Sequence, residues 1–164
     1  MFVPMARDRR RVMEATLLAA VLSGAPSTVH VFIKRRSVRS AAAYVYDATR
    51  AIGTLVPPGR PGFGRGVLAH LAISMLCGET LARILPPEHG AAWGAAGGLV
   101  FGVINVGVIE KLFPALSGLP QMPQLADNVM FGTVFAVALD KRDPQFRGRR
   151  TMVSGPALYW QQAY

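Results

Sequence analysis

Charge is what this chain has least of. Asp, Glu, Lys and Arg make up 16% of its 164 residues, against roughly 25% in ordinary soluble domains. Hydrophobic residues make up 51% and the mean hydropathy is +0.31. The shortage is uneven. Residues 15–33 and 91–109 carry no Asp, Glu, Lys or Arg, while the cations crowd into short segments between such runs. Blocks of this kind exclude an ordinary soluble domain and point to one integral membrane domain.

Cysteine is nearly absent. The single Cys77 excludes an intrachain disulfide and a cysteine-based metal site. Within an apolar run it reads as a small hydrophobe. Acids are also few, nine against 18 Lys and Arg, so the net charge is +9. Such a balance could serve nucleic acid, but these cations flank apolar runs instead of interleaving with aromatics. The partner they fit is a bilayer with anionic headgroups, not nucleic acid. Catalytic signatures are missing too: no phosphate-binding loop, no His-Glu-x-x-His, no Gly-x-Ser-x-Gly and no paired Cys-x-x-Cys. The run Gly59-Arg60-Pro61-Gly62-Phe63-Gly64 has glycine but no Lys-Ser/Thr, and reads as a turn. The chain therefore reads as a non-enzyme with no catalytic residue and no implied cofactor.

The apolar runs predict an all-α fold: a membrane bundle of about four spans at 12–33, 64–85, 91–113 and 124–139. About 20 residues cross a ~30 Å hydrocarbon core. The first span contains Ser23-Gly24-Ala25-Pro26-Ser27-Thr28, and Pro26 predicts a kink or a re-entrant turn. Its basic start followed by an apolar run also fits a signal peptide, but Glu14 interrupts the run and the apolar character continues past Pro26. The fourth span is short, with Asp127 near its start. Between the first two spans, 40–56 predicts an amphipathic helix lying in the interface. Residues 1–140 form the membrane domain and 141–164 a basic tail whose Tyr159, Trp160 and Tyr164 suit a headgroup layer. The positive-inside rule favours both ends in the cytoplasm, against the seven cations Lys34, Arg35, Arg36, Arg39, Arg50, Arg60 and Arg65 of the first connection.

Three features could carry function. Gly94, Gly98 and Gly102 recur every fourth residue and present a smooth helix face, for packing within the chain or for a homodimer. Glu79 and Arg83 have the spacing and order of an ion pair on one helix. Finally, an up-down arrangement of four spans collects His30, His70, Asn105, Glu110 and Asp127 on one side of the membrane. Carboxylates and imidazoles from separate helices could bind a metal of unknown identity or relay a proton. Each also has a structural reading. Asp127 would stabilise a helix start, Glu110 would mark the interface beside Lys111, and Asn105 and His70 would bond across helices. His70 is the member whose depth is hardest to explain by helix ends.

The stretches 23–30, Thr49-Arg50-Ala51-Ile52-Gly53-Thr54-Leu55, Ala69-His70-Leu71 and 119–127 resemble a family of small uncharacterised multi-pass membrane proteins of high-GC actinobacteria, over residues 12–140. The helix order is loosely similar to that of inner-membrane proteins with a DUF1440-type region. The resemblance implies a multi-pass protein of the bacterial inner (plasma) membrane. It brings no catalytic role to any residue. Two functions stand against each other: a structural or accessory membrane protein, and a small transporter or metal- or proton-binding protein centred on His70.

Overall fold

Backbone wrapped in apolar side chains must satisfy its own N–H and C=O groups, and each apolar run does so as α-helix. In the computed structural model, which describes residues 8–57, 59–86 and 90–142, there is no strand among the described residues. The helices are α1 (Arg9–Ser23), α2 (Ala25–Arg35), α3 (Val38–Ile52), α4 (Phe63–Ile84), α5 (Gly90–Ile104), α6 (Glu110–Leu112), α7 (Pro114–Ser117) and α8 (Gln121–Arg142). A 3₁₀ turn, Gly53–Leu55, extends α3, and a π-helical turn, Asn105–Ile109, joins α5 to α6. The basic tail from residue 143, with Tyr159, Trp160 and Tyr164, lies outside the described residues, as do Pro58 and Pro87.

Four helical segments are long and apolar enough to cross a membrane: Arg9–Arg35, Phe63–Ile84, Gly90–Leu112 and Gln121–Asp140. Two expectations need correction. The first segment is interrupted at Gly24, not kinked at Pro26. Pro26 lies in the first turn of α2, where its missing N–H costs nothing. The fourth segment is not short. Pro123 falls in the first turn of α8 and is tolerated there, so the helix begins at Gln121 instead of after the proline.

α8 is the central helix. α5 packs along it on one side, α1 and α2 on another, and α1 in turn packs on α4. Phe135, Leu81 and Thr16 are the largest fully buried side chains, and Phe131 stacks near Phe135 with ring centroids 6.4 Å apart. Small residues (Ala15, Ala19, Ala20, Ala136, Ala138) fill most of the remaining core, which brings the helices close. Gly78 of α4 leaves the room that the Thr16 side chain occupies.

Many large apolar side chains face outward, while several polar ones are buried. Val21 is 79% exposed, Leu76 69% and Leu68 68%, whereas Ser23, Ser27, Ser74, Gln124 and Glu110 are buried. In water, leaving one large aliphatic side chain exposed forgoes roughly 1.5–3 kcal/mol of burial. Such a surface would lose that cost against lipid, where polar groups favour the interior.

α3 links the end of α2 to the start of α4 and packs on both. Ser37 caps it, accepting from the Ser40 N–H at 3.3 Å. The chain leaves α2 through Arg36 in the left-handed conformation. Gly66 of α4 lies against the Thr49 backbone, where a Cβ would have no space. The Tyr46 ring stacks on Phe63 at 5.3 Å, and the Arg50 guanidinium lies over Tyr46 at 5.7 Å. Lys34, Arg35, Arg36, Arg39, Arg50 and Arg60 are all exposed around this helix.

Candidate functional site

The break at Gly24 creates two loose ends inside the bundle. In an unbroken helix the Ala20 carbonyl would accept the Gly24 N–H. Gly24 donates to the Leu22 carbonyl instead. The Ala20 carbonyl is taken up by the Ser23 hydroxyl at 3.0 Å and by His70 Nε2 of α4 at 3.1 Å. Because a carbonyl only accepts, this contact places a proton on Nε2. On the other side of the break, the Ser27 N–H has lost its helical acceptor. It donates to Asp127 Oδ1 of α8 at 2.9 Å, and the Ser27 hydroxyl donates to Asp127 Oδ2. A carboxylate at the start of α2 also meets the positive end of its helix dipole.

Two neighbouring helices, α4 and α8, thus each supply one side chain to the break, and His70 lies within electrostatic reach of Asp127. Asp127 is not in the first turn of its own helix. With α8 starting at Gln121 it sits six residues, about 9 Å, inside. Its partner is the start of α2.

Tyr44 of α3 closes the group. Its hydroxyl faces Ser27, and burial pushes the phenol above its ordinary value, helped by the Asp127 charge and opposed by the Ser27 hydroxyl. A phenol held protonated stabilises the fold below the ordinary tyrosine pKa, and that contribution is lost as pH rises through the raised value. An ultraviolet titration of detergent-solubilised protein should show a late-titrating tyrosine that Tyr44→Phe removes. An unchanged curve would place Tyr44 in open solvent.

A second polar group lies where α5 ends. Asn105 Nδ2 donates to Gln124 Oε1 at 3.1 Å, and Gln124 Nε2 donates to Glu110 Oε1 at 2.6 Å. In a regular α-helix, residues five apart stand about 140° apart around the axis. The π turn, closed by the Glu110 N–H to the Asn105 carbonyl, narrows that angle, so both side chains reach the same glutamine of α8. Glu110 is 3% exposed, and its Oε2 has no partner among the described residues. It does not mark the interface as an exposed acid would; only its neighbour Lys111 is exposed.

The five polar residues expected on one side of the membrane therefore divide. His70 and Asp127 meet at the break, and Asn105 and Glu110 meet through Gln124. His30 joins neither: Ser27 is the buried position of α2, and His30 stands exposed to one side. Among the described residues no group of three His, Cys, Asp or Glu side chains could hold a metal ion. Sequence reasoning missed Ser27, Tyr44 and Gln124 as members. Gln124 was already placed at the start of the fourth helix, but no sequence signal showed that it faces inward.

Gly94, Gly98 and Gly102 of α5 lie against Gly132, Asn128 and Leu125 of α8. That face is filled by the chain itself, so a homodimer would need another surface. Glu79 and Arg83 form a 3.0 Å ion pair on α4, with side chains 43% and 72% exposed. Cys77 is unpaired and packs against the core. No protein family, curated protein or solved structure matches this chain.

Proposed function

We propose that this is a four-span protein of the bacterial inner membrane with a structural or accessory role, related to the actinobacterial proteins its sequence resembles. The observation that carries this reading is how its interior polar groups are used. His70 and Asp127, the best candidates for chemistry, each satisfy a backbone group freed by the break in the first span. The many exposed large apolar side chains, with polar side chains buried among the helices, support the membrane placement. The exposed cations around α3 suit anionic headgroups at the interface.

A second reading, a small transporter or proton-binding protein centred on His70, draws on the proximity of His70 to Asp127. A broken span whose ends meet ionisable side chains is also how transporters build ion sites. Proton flux in vesicles reconstituted with wild type and His70→Ala separates the two. The structural role predicts equal flux and a fold weakened by only about 1 kcal/mol, because Ser23 still serves the Ala20 carbonyl. Flux present in wild type and lost in His70→Ala would replace the structural reading with the second one.

A further inference from the structure

We propose that Glu110 is a reversible proton-binding site of the bundle, with Oε2 the atom that takes up and releases the proton. The inference rests on the membrane placement but not on the role of His70. Three observations carry it.

The first is the orphaned oxygen. Buried polar atoms in folded proteins are almost always partnered, and an exception calls for an explanation. Glu110 Oε2 is sealed from solvent and has no partner among the described residues. Its twin, Oε1, accepts from Gln124.

The second is the direction of the hydrogen bonds. Asn105 donates to Gln124 and Gln124 donates to Glu110. Both amides thus point donors toward the carboxyl group, and chains of this kind polarise one another. All of that donation arrives at Oε1. The share of the carboxylate charge on Oε2 meets no donor among the described residues.

The third is space. A metal cation would need several oxygens around it at 2–2.6 Å, as magnesium and calcium sites show, and a water needs two or more polar partners. In the closed bundle Oε2 offers neither, and a larger reagent reaches it only through local opening of the helices. A proton needs no cavity. Ionisable groups inside membrane segments commonly serve as proton sites, and a π turn of the sort that precedes Glu110 is frequent at functional positions.

The charged surroundings are sparse. α5 and α7 contribute no charged residue, and Lys111 on the same turn is exposed. Asp127, the one acid in the first half of α8, is occupied by Ser27.

A membrane-soluble carbodiimide tests the proposal on the full chain in native membranes. It reacts with the protonated acid. The carboxyl O–H adds across a C=N bond, the oxygen bonding to carbon and the proton going to nitrogen. The acyl group then shifts to nitrogen, giving a stable N-acylurea with no atom lost. Mass spectrometry of the digested protein should find the adduct on Glu110, diminishing as pH rises, and Glu110→Gln should lose it. Protection by sodium at constant pH would instead make this a cation site and overturn the proposal. So would an adduct confined to other acids, or a Glu110 adduct whose yield does not change with pH. Mapping in wild type needs no variant, so poor folding of Glu110→Gln does not affect it. Retention in the membrane fraction, read on the same samples, reports separately on the membrane placement.

Discussion

Gly98→Leu should prevent the bundle from assembling, with little or no monodisperse protein recovered in detergent. A Cβ at Gly98 would stand 2.9 Å from the Asn128 carbonyl carbon and 3.0 Å from Val129 Cα, and closer still to the Asn128 carbonyl oxygen. All three are backbone atoms of α8, which no rotamer change can move. One turn earlier, Gly94 and Gly132 face each other so closely that each would place a Cβ into the other's backbone. Relief therefore requires α5 to withdraw from α8 along their whole contact. Overpacking a core by a few methylenes costs about 1–3 kcal/mol when side chains can adjust. Here they cannot, and in a membrane the close approach is itself the main attraction, since lipid is as apolar as the side chains it replaces. Gly107→Leu on the same span is the control, because a Cβ there meets nothing within 4 Å. Equal recovery of the two variants would show that the helices are farther apart than described.

The four helical segments long and apolar enough to cross a membrane, and the smooth glycine face, could be read from the chain. Those features depend on composition and on a repeat of four, which survive whatever the neighbours do. What could not be read was the pairing. His30 and His70 look alike in sequence, each a lone histidine in an apolar run. They differ because the helix restarts at Ala25 and turns Ser27, not His30, toward α8. The start of α8 was hidden by Pro123, which reads equally well as a terminator of one element and as a first-turn residue of the next. Moving that start by three residues changed Asp127 from a cap on its own helix into a partner for another. The π turn was likewise silent, since no residue type announces it, yet it decides that Glu110 points inward.

One consequence is that the polar residues of this bundle are distributed by backbone demand. A helix break inside an apolar bundle frees a donor on one side and an acceptor on the other, and no water is at hand for either. Asp127 is an acceptor and answers the donor. His70, protonated on Nε2, is a donor and answers the acceptor. Gln124 can do both and joins Asn105 to Glu110. Among the described residues, buried Glu110 keeps a carboxyl oxygen with no hydrogen-bond partner, which sets it beside His70 and Asp127 as a candidate for chemistry.

Asp127→Ala then has the second large effect to be expected. It strands both the N–H and the hydroxyl of Ser27 at the start of α2. Neutral hydrogen bonds between membrane helices average about 0.6 kcal/mol and reach about 1.7, but bonds to an ionised acceptor are worth more, roughly 1.5–3 kcal/mol each in soluble proteins. Two such bonds in a partly buried setting suggest a loss of about 2–4 kcal/mol. Asp127→Asn separates hydrogen bonding from charge. Its amide oxygen can still accept from the Ser27 N–H and its NH₂ can donate to the Ser27 oxygen, leaving mainly the helix-dipole contribution of about 0.3–1 kcal/mol to be lost. Denaturant unfolding in detergent should rank the proteins wild type, then Asn close below, then Ala well below. Amide exchange at Ser27 should accelerate strongly in Ala alone. If Asn falls as far as Ala, the charge on Asp127 and not its two bonds holds α2 in place. If neither variant differs from wild type, the break is held by packing and the link between α8 and α2 carries no weight.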